Sequence, residues 1–324
     1  MRKDRFRDVE RHVEVPLARP VSGRPIWFDA FLVGVFSFAV FAATAQYHDP
    51  LNNDTRAAAI AAWQLAHHGN STLDAFYGHY SWIFESHGRY VTDRFPGVIF
   101  WATPFYVALG GGDYPAIYPG ALAAELATAI ATALVFALAS RVVTRRTAVV
   151  AALLFAFATG AWTVAADQLW THGPAQAAVL LTVLFVARRQ WLLAGIPAGF
   201  AILIRPHLGE VAVVLGVVGV LRYRRARPLL IALGSGAGVV VLLLYNHALW
   251  DRWSVFGGYQ NTASASAHSM GDFLIGVPGV FVSPERGMLV MTPALLLLIP
   301  GLRRAWRVAE WWIRASALAD LPMP

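Results

Sequence analysis

Two short stretches of this sequence place an acid close to an arginine at the edge of an apolar run. Asp54 and Arg56 lie shortly after the first long apolar run, and Asp93 and Arg94 directly precede a second one. A further acid, Asp167, follows a later apolar run. Charges next to hydrocarbon are costly and usually face a cavity or a partner. These side chains are therefore candidates for one polar site at a membrane face.

The chemistry that suits such a site is transfer of a group from a lipid-linked phosphate. The departing phosphate needs no general acid, so one carboxylate can serve as the base for an acceptor hydroxyl while arginines stabilise the growing phosphate charge. Glycoside hydrolysis would need a paired acid and base. Of the 26 basic residues only Lys3 is a lysine, and the planar guanidinium of arginine can hold two phosphate oxygens at once.

The composition places these residues in a membrane. The 324 residues are 57% hydrophobic and 14% charged, with a mean hydropathy of +0.52, which is too apolar for a soluble domain. Several apolar segments approach the ~20 residues that a spanning helix needs. Inside lipid the backbone must satisfy its own hydrogen bonds. The sequence therefore predicts an all-α polytopic membrane protein.

The net charge of +7 does not indicate a nucleic-acid partner, because most basic residues flank apolar segments. There is no cysteine, which excludes disulfides and thiolate metal sites. No cofactor is firmly predicted and no metal ligand is assigned, although the sequence leaves open a divalent metal ion.

The distribution of basic residues predicts the number of crossings. The segment 97–110 contains Pro104 and runs into three glycines, so we expect it only to dip into the membrane. Without it, 19 basic residues up to Arg307 fall on the cytoplasmic side and six on the other. A single broken hairpin over 174–204 would leave this balance unchanged. The predicted crossings are eight, at 26–46, 116–140, 148–166, 174–187, 191–204, 207–221, 229–249 and 287–302.

This topology predicts a multi-pass protein of the cell (plasma) membrane with a cytoplasmic N-terminus. The chain then divides into a retained basic N-terminus at 1–25, a transmembrane domain at 26–302 and a cytoplasmic tail at 303–324. Two segments, 47–115 and 250–286, become extracytoplasmic loops. In the first loop, Asn52, Asn53, Asp54 or Thr55 is expected to cap a helix on the membrane surface that ends at Gly69.

The order of these short motifs resembles the GT-C superfamily of membrane glycosyltransferases, especially bacterial relatives of protein mannosyltransferases and of the aminoarabinose transferase. The motifs in chain order are Asp54-Thr55-Arg56, Asp93-Arg94-Phe95-Pro96, LASRVVTRR at 138–146, Asp167, LIRP at 203–206, FGGY at 256–259 and SPERG at 283–287.

The resemblance implies a GT-C-like bundle that transfers a sugar from a polyprenyl-phosphate donor to an extracytoplasmic glycan, lipid or protein, with inversion at the anomeric carbon. Asp54 would be the catalytic base, with Asp49 as the alternative. Asp93, Arg94 and Asp167 would line the acceptor and donor site.

Four further residues complete the expected site. Arg56 and His172 are candidates for substrate binding, because each lies close to one of the acids in the sequence. Arg205 and Arg286 are candidates for holding the lipid phosphate by bidentate contact.

Two other functions remain alternatives. Glu125 and Glu210 lie within apolar segments, and intramembrane carboxylates often serve transport, so a transporter or flippase is one of them. GT-C relatives usually continue through several more helices, so a non-catalytic remnant of a glycosyltransferase is the other.

Overall fold

The computed structural model describes residues 24–47, 53–80, 82–110, 112–258, 276, 278–284, 288–291, 296 and 299–319. The described chain is mainly helical. Its helices are α1 (Ile26–Thr44), α2 (Asn53–His68), α3 (Pro96–Leu109), α4 (Tyr118–Ala139), α5 (Arg145–Phe157), α6 (His172–Ala187), α7 (Trp191–Ile204), α8 (Gly209–Tyr223), α9 (Ile231–Trp250), α10 (Ile299–Val308) and α11 (Trp311–Ala319).

Short elements connect these helices. A hairpin of β1 (Ile83–Ser86) and β2 (Arg89–Thr92) lies between α2 and α3, and helical turns lie at Asp74–Phe76, Ala161–Ala165, Pro206–Leu208, Arg227–Leu230 and Met288–Met291. This hairpin was not predicted from the sequence. Its two-residue turn is His87-Gly88, and both residues have positive φ, at 52° and 72°. This is the backbone that tight hairpin turns require.

Four helical stretches are long and apolar enough to cross a membrane, namely Ile26–Thr44, Tyr118–Ala139, Pro206–Tyr223 and Arg227–Trp250. Helices α3, α6 and α7 are apolar but shorter. The segment 148–166 is interrupted, because α5 ends at Phe157 and a π-type turn follows. Much of 287–302 lies outside the described residues, so the count of eight crossings stays a prediction.

Arginines from separate loops meet at one end of the bundle. Arg141 donates to the carbonyl of Ala187 at 3.1 Å, Arg145 forms an ion pair with Asp29 at 3.1 Å, and Arg189 lies 4.8 Å from the ring centre of Tyr223. We call this the arginine-rich end and the opposite end the cavity end. These contacts bring the loops together at one end of the bundle, and the side of the membrane that this end faces stays a prediction.

The sequence predicts α2 as a helix on the membrane surface, but in the structure most of α2 is buried by other parts of the protein. Nine of its residues are buried, from Thr55 through Gln64 with the exception of Arg56. The helix packs against α3, and Trp63 contacts Phe76 in the turn that follows α2. Many of its side chains are alanines, so neighbours approach it closely from several directions. The expected surface helix is therefore a covered helix within a layer at the cavity end.

Helix α7 is the central support of this end. It packs on α3, α6 and α9. Towards α9 the contact is between backbones, since a β-carbon at Gly199 would lie 2.5 Å from the carbonyl oxygen of Gly234. Small residues on facing helices permit such close approach in membrane proteins. The end of α7 is thereby fixed, and Arg205 follows it directly.

Candidate active site

A cavity of about 400 Å³ lies at the cavity end, where α2, the start of α3, the segment before α6 and the end of α7 meet. Charged groups occupy part of its wall and apolar side chains the remainder. Its lining residues are Asp54, Ala58, Arg94, Phe95, Val98, Leu169, Trp170, Thr171, Ile204, Arg205, Pro206, His207 and Phe256. We call it the main cavity.

One arginine bridges two carboxylates at the edge of the main cavity. Arg94 Nη2 lies 2.9 Å from Asp54 Oδ1, and Arg94 Nε lies 3.1 Å from Asp93 Oδ1, the second contact lacking hydrogen-bond alignment. The side chain of Asp54 is 46% exposed, that of Arg94 15% and that of Asp93 4%. Asp54 is therefore the acid that a ligand in the cavity can reach, and Asp93 supports the arginine from beneath.

The two acids differ in environment. Burial raises the pKa of Asp93 above its ordinary value; the Arg94 guanidinium lowers this pKa, and the negative charge of Asp54 raises it. A carboxylate is stabilised by a nearby cation and destabilised by removal from water. Burial therefore disfavours the charged form of Asp93, whereas the neighbouring Arg94 favours it.

Gly97 brings Arg94 close to the end of α7. A β-carbon at Gly97 would lie 2.5 Å from the backbone nitrogen of Ile204, so only glycine permits this approach. Pro96 occupies the first turn of α3, and Phe95 before it has an extended backbone. Proline favours that position because its fixed φ fits a helix start. The Pro96-Gly97 pair thus places the residues before α3 against those after α7.

Arg205 is held by a neighbouring segment. Its Nε donates a hydrogen bond to the hydroxyl of Thr171 at 2.8 Å. Helix α7 ends at Ile204, and Arg205 has an extended backbone before Pro206. Because a proline disfavours helical conformation in the residue before it, the chain leaves the helix at this point. Arg205 then forms part of the wall of the main cavity.

The start of α2 is tied to the same neighbouring segment. The Thr55 hydroxyl donates to the side-chain oxygen of Gln168 at 2.9 Å in a buried contact. Asp54 therefore keeps a fixed relation to Thr171 and Arg205, although more than a hundred residues separate Thr55 from Gln168 in the sequence.

Phe256 completes the wall because the chain folds back after α9. Asn246 in α9 donates to the carbonyl of Ser254 at 2.7 Å. Gly257 has a φ of 48°, and a β-carbon there would lie 2.4 Å from the side-chain oxygen of Asn246. Only glycine fits this position, which explains the first glycine of the FGGY motif.

Three expected site residues face neighbouring cavities instead. Arg56 lies over the ring of Tyr80 at 5.4 Å and lines a cavity of about 200 Å³. Helical residues two apart point roughly 200° apart, so Arg56 cannot share the face of Asp54. Asp167 lines a cavity of about 310 Å³ with Trp162 and accepts from the backbone N–H of Gln46 at 3.3 Å.

His172 lines a further cavity of about 310 Å³ with Gln176, and Arg205 and His207 form part of that wall too. We call this the second Arg205 cavity. Arg205 and His207 line both cavities, so they form the boundary between them. His172 and Asp54 lie on opposite sides of this boundary. The separation arises because Thr171, not His172, faces the main cavity.

Asp49 and Arg286 lie outside the described residues. Among the residues that the structure describes, no group of three histidine, aspartate or glutamate side chains is placed to hold a metal ion. The structure instead brings together Asp54, Arg94 and Arg205.

Several residues that build the site have no role predicted from the sequence. Gln168 and Thr171 position Asp54 and Arg205, and Phe95 and Phe256 form apolar walls. A signal was present for two of them, since Phe95 and Phe256 fall within motifs singled out from the sequence. None marked Gln168 or Thr171, whose partners are distant in the chain.

The fold and the apolar helices define a mainly helical protein of membrane type. Comparison of the chain with protein-family models, with curated protein sequences and with solved structures finds no match.

Proposed function

We propose that this protein transfers a sugar from a polyprenyl-phosphate donor to an acceptor hydroxyl, with inversion at the anomeric carbon. The observation that carries the proposal is the main cavity, in which a partly exposed carboxylate and two arginines share a largely apolar enclosure. A lipid-linked phosphate has the matching chemistry, because it joins an anion to a greasy tail.

In this proposal Asp54 is the base. Its carboxylate takes the proton of the acceptor hydroxyl, and the hydroxyl oxygen attacks the anomeric carbon from the face opposite the phosphate. The bond between the anomeric carbon and the phosphate oxygen breaks, and the bonding pair leaves with polyprenyl phosphate. Because the leaving group is already stable as an anion, no acid is needed on its side.

The arginines have separate tasks. Arg94 holds the Asp54 carboxylate in one orientation through its 2.9 Å contact. Arg205, oriented by the Thr171 hydroxyl, is placed to stabilise the charge that grows on the departing phosphate. Phe95, Val98 and Phe256 supply apolar surface for the first isoprene units.

We further propose that the cavity end faces away from the cytoplasm. The arginine-rich end would face the cytoplasm, in keeping with the excess of basic residues expected on that side of a membrane. The acceptor, whether glycan, lipid or protein, would then be modified outside the cell membrane.

The test uses the full chain in liposomes with labelled hexosyl and pentosyl polyprenyl phosphates. We expect Asp54→Asn to lower transfer about 10²- to 10⁴-fold, the usual contribution of a general base. Asp113→Asn is the matched control, since this acid is exposed in the same loop. Asp49→Asn tests the alternative base. Normal transfer by both the Asp54 and the Asp49 variants, or no transfer from any donor, would overturn the proposal.

A second candidate, transport of a lipid or solute, is favoured by Glu125. This residue is fully buried within α4, and neither carboxylate oxygen has a hydrogen-bond partner among the described residues. A buried carboxylate inside a membrane helix often belongs to an ion or substrate path. Burial raises the pKa of the Tyr47 phenol, and the nearby Glu125 carboxylate raises it further.

The two candidates can be separated in vesicles. Transport predicts flux that Glu125→Gln abolishes while no sugar is transferred. Sugar transfer predicts the reverse dependence, with Asp54 essential and no flux.

A further inference from the structure

Helix α10 differs in character from the apolar helices of the bundle. Every residue from Ile299 to Val308 is exposed. Helix α9 is apolar on all sides, whereas α10 carries Ile299, Leu302 and Trp306 at positions i, i+3 and i+7, which share one face of a helix. An exposed amphipathic helix in a membrane protein indicates a surface that something else covers.

One flank of this apolar stripe is strongly basic. Arg303 lies directly beside the stripe, Arg307 lies further round the helix and Arg304 lies on the far face, and the helix contains no acidic residue. No ion pair joins these three arginines to any other residue that the structure describes. The surface therefore combines an apolar stripe with uncompensated positive charge.

The neighbouring helix fixes where α10 lies. Helix α11 begins only three residues after α10 ends, and its buried residues Trp312 and Ala315 pack in the core with α8. Its first residue, Trp311, lies 6.1 Å from Trp191 and 5.8 Å from Tyr223, measured between ring centres. Tyr223 in turn lies beneath Arg189 at the arginine-rich end.

We propose that α10 lies in the plane of the membrane surface at the arginine-rich end and binds anionic lipid headgroups. Its apolar stripe enters the boundary between headgroups and acyl chains, and its arginines contact the lipid phosphates. Helices with this division of apolar and basic residues bind anionic membrane surfaces in this manner. In this arrangement the aromatic cluster of Trp191, Tyr223 and Trp311 would lie at the membrane boundary, where interfacial aromatic residues collect.

This inference is independent of the proposed sugar transfer, because it concerns the opposite end of the bundle. Its occupant is a lipid surface and not a protein, since the charge on α10 complements phosphate headgroups and the chain already resides in a bilayer. An acidic protein or a second copy of the chain would be alternative occupants, and the experiment separates them.

The absence of cysteine from the chain allows a label at one chosen position. Leu302→Cys places an environment-sensitive dye on the apolar stripe, and Arg304→Cys places it on the far face. The full chain is held singly in nanodiscs of phosphatidylcholine, with or without phosphatidylglycerol. With phosphatidylglycerol we expect the dye at 302 to be shielded from iodide and quenched by nitroxide lipids. The dye at 304 should remain accessible to iodide.

Charge is tested on the Leu302→Cys background. Arg303→Gln with Arg307→Gln should weaken docking of the helix about fivefold per lost arginine, whereas Arg303→Lys with Arg307→Lys should preserve it because the charge is kept. Equal iodide access at 302 and 304 in anionic discs would overturn the proposal. So would shielding at 302 that is unchanged in pure phosphatidylcholine and in the glutamine variant, since the helix would then be covered by something other than anionic lipid.

Discussion

The α7–α9 interface and the main cavity differ in how closely the chain approaches itself. At the interface, Gly199 and Gly234 allow backbone to touch backbone, and no charged group intervenes. A few residues further along the same helix, beyond Ile204, the walls separate and Arg205, Arg94 and Asp54 border an open space. The tightly packed, uncharged α7–α9 interface thus supports the more open, charged main cavity.

The difference teaches how a polar site can exist next to hydrocarbon. Arg94 and Arg205 would gain little from fixed positions if α7 moved, because their contacts depend on distances near 3 Å. The glycine contacts provide that rigidity at a place where chemistry is absent. Substitutions in the two regions should therefore have effects of different kinds.

The largest effect is expected from Gly199→Leu. A β-carbon at this position would lie 2.5 Å from the Gly234 carbonyl oxygen, so the helices must separate, and we expect about 3 kcal/mol of destabilisation. Thermal unfolding of the purified protein in detergent measures the loss. Gly236→Leu is the control, because a β-carbon there meets no atom within 4 Å. Equal stability of the two variants would contradict the close contact.

A smaller effect on folding is expected from Arg94→Gln. The change leaves Asp93 buried without its cation. We expect this to destabilise the fold by about 2 kcal/mol, a cost that stays limited because Asp93 can take up a proton in response. We expect a lower melting temperature together with a large loss of sugar transfer, since Asp54 loses its orienting partner. Arg89→Gln removes an exposed arginine from the same loop and should leave both quantities unchanged. A stable, fully active Arg94→Gln protein would disprove the role of Arg94 as the bridge between Asp54 and Asp93.

The smallest effect is expected in the pH dependence of stability. The pKa of Asp93 in the folded protein is raised above its ordinary value of 3.8, so above that pH the folded chain holds a proton that the unfolded chain has released. Stability from this group is therefore greatest at low pH and falls as the pH rises through the raised pKa.

Melting temperatures from acidic to neutral pH test this expectation. As the pH rises, the melting temperature of the wild type should fall relative to that of Asp93→Asn. The melting temperature of Asp113→Asn should follow that of the wild type throughout. A difference that grows in favour of the wild type would mean that the Arg94 cation outweighs burial.

Much of the fold class could be predicted from the sequence because membrane solvent imposes it. Long apolar runs must be helical in lipid, and the helical, membrane-type character is confirmed in this coarse form. The covered position of α2 could not be predicted, because an alanine-rich helix reads the same whether water, lipid or protein surrounds it. The hairpin turn at His87-Gly88 was readable in principle, since glycine there supplies the positive φ.

The candidate site was predictable only in part, for a geometric reason. Asp54, Arg94 and Arg205 each border an apolar helix at the same end, so their meeting follows from the order of the helices. Arg56 and His172 also carry basic side chains in the first turn of a helix. The rotation of each residue about its helix axis directs its side chain to another cavity. Side-chain direction depends on how each helix is turned by its neighbours, which no single motif records.

Arg205 forms a common wall of the main cavity and the second Arg205 cavity. One guanidinium cannot give its full charge to both sides at the same time. An anion that attracts it from the side of His172 withdraws positive charge from the side of Asp54, so two anions across this wall would compete without touching. The side chain thereby couples two compartments of the molecule through the balance of a single charge.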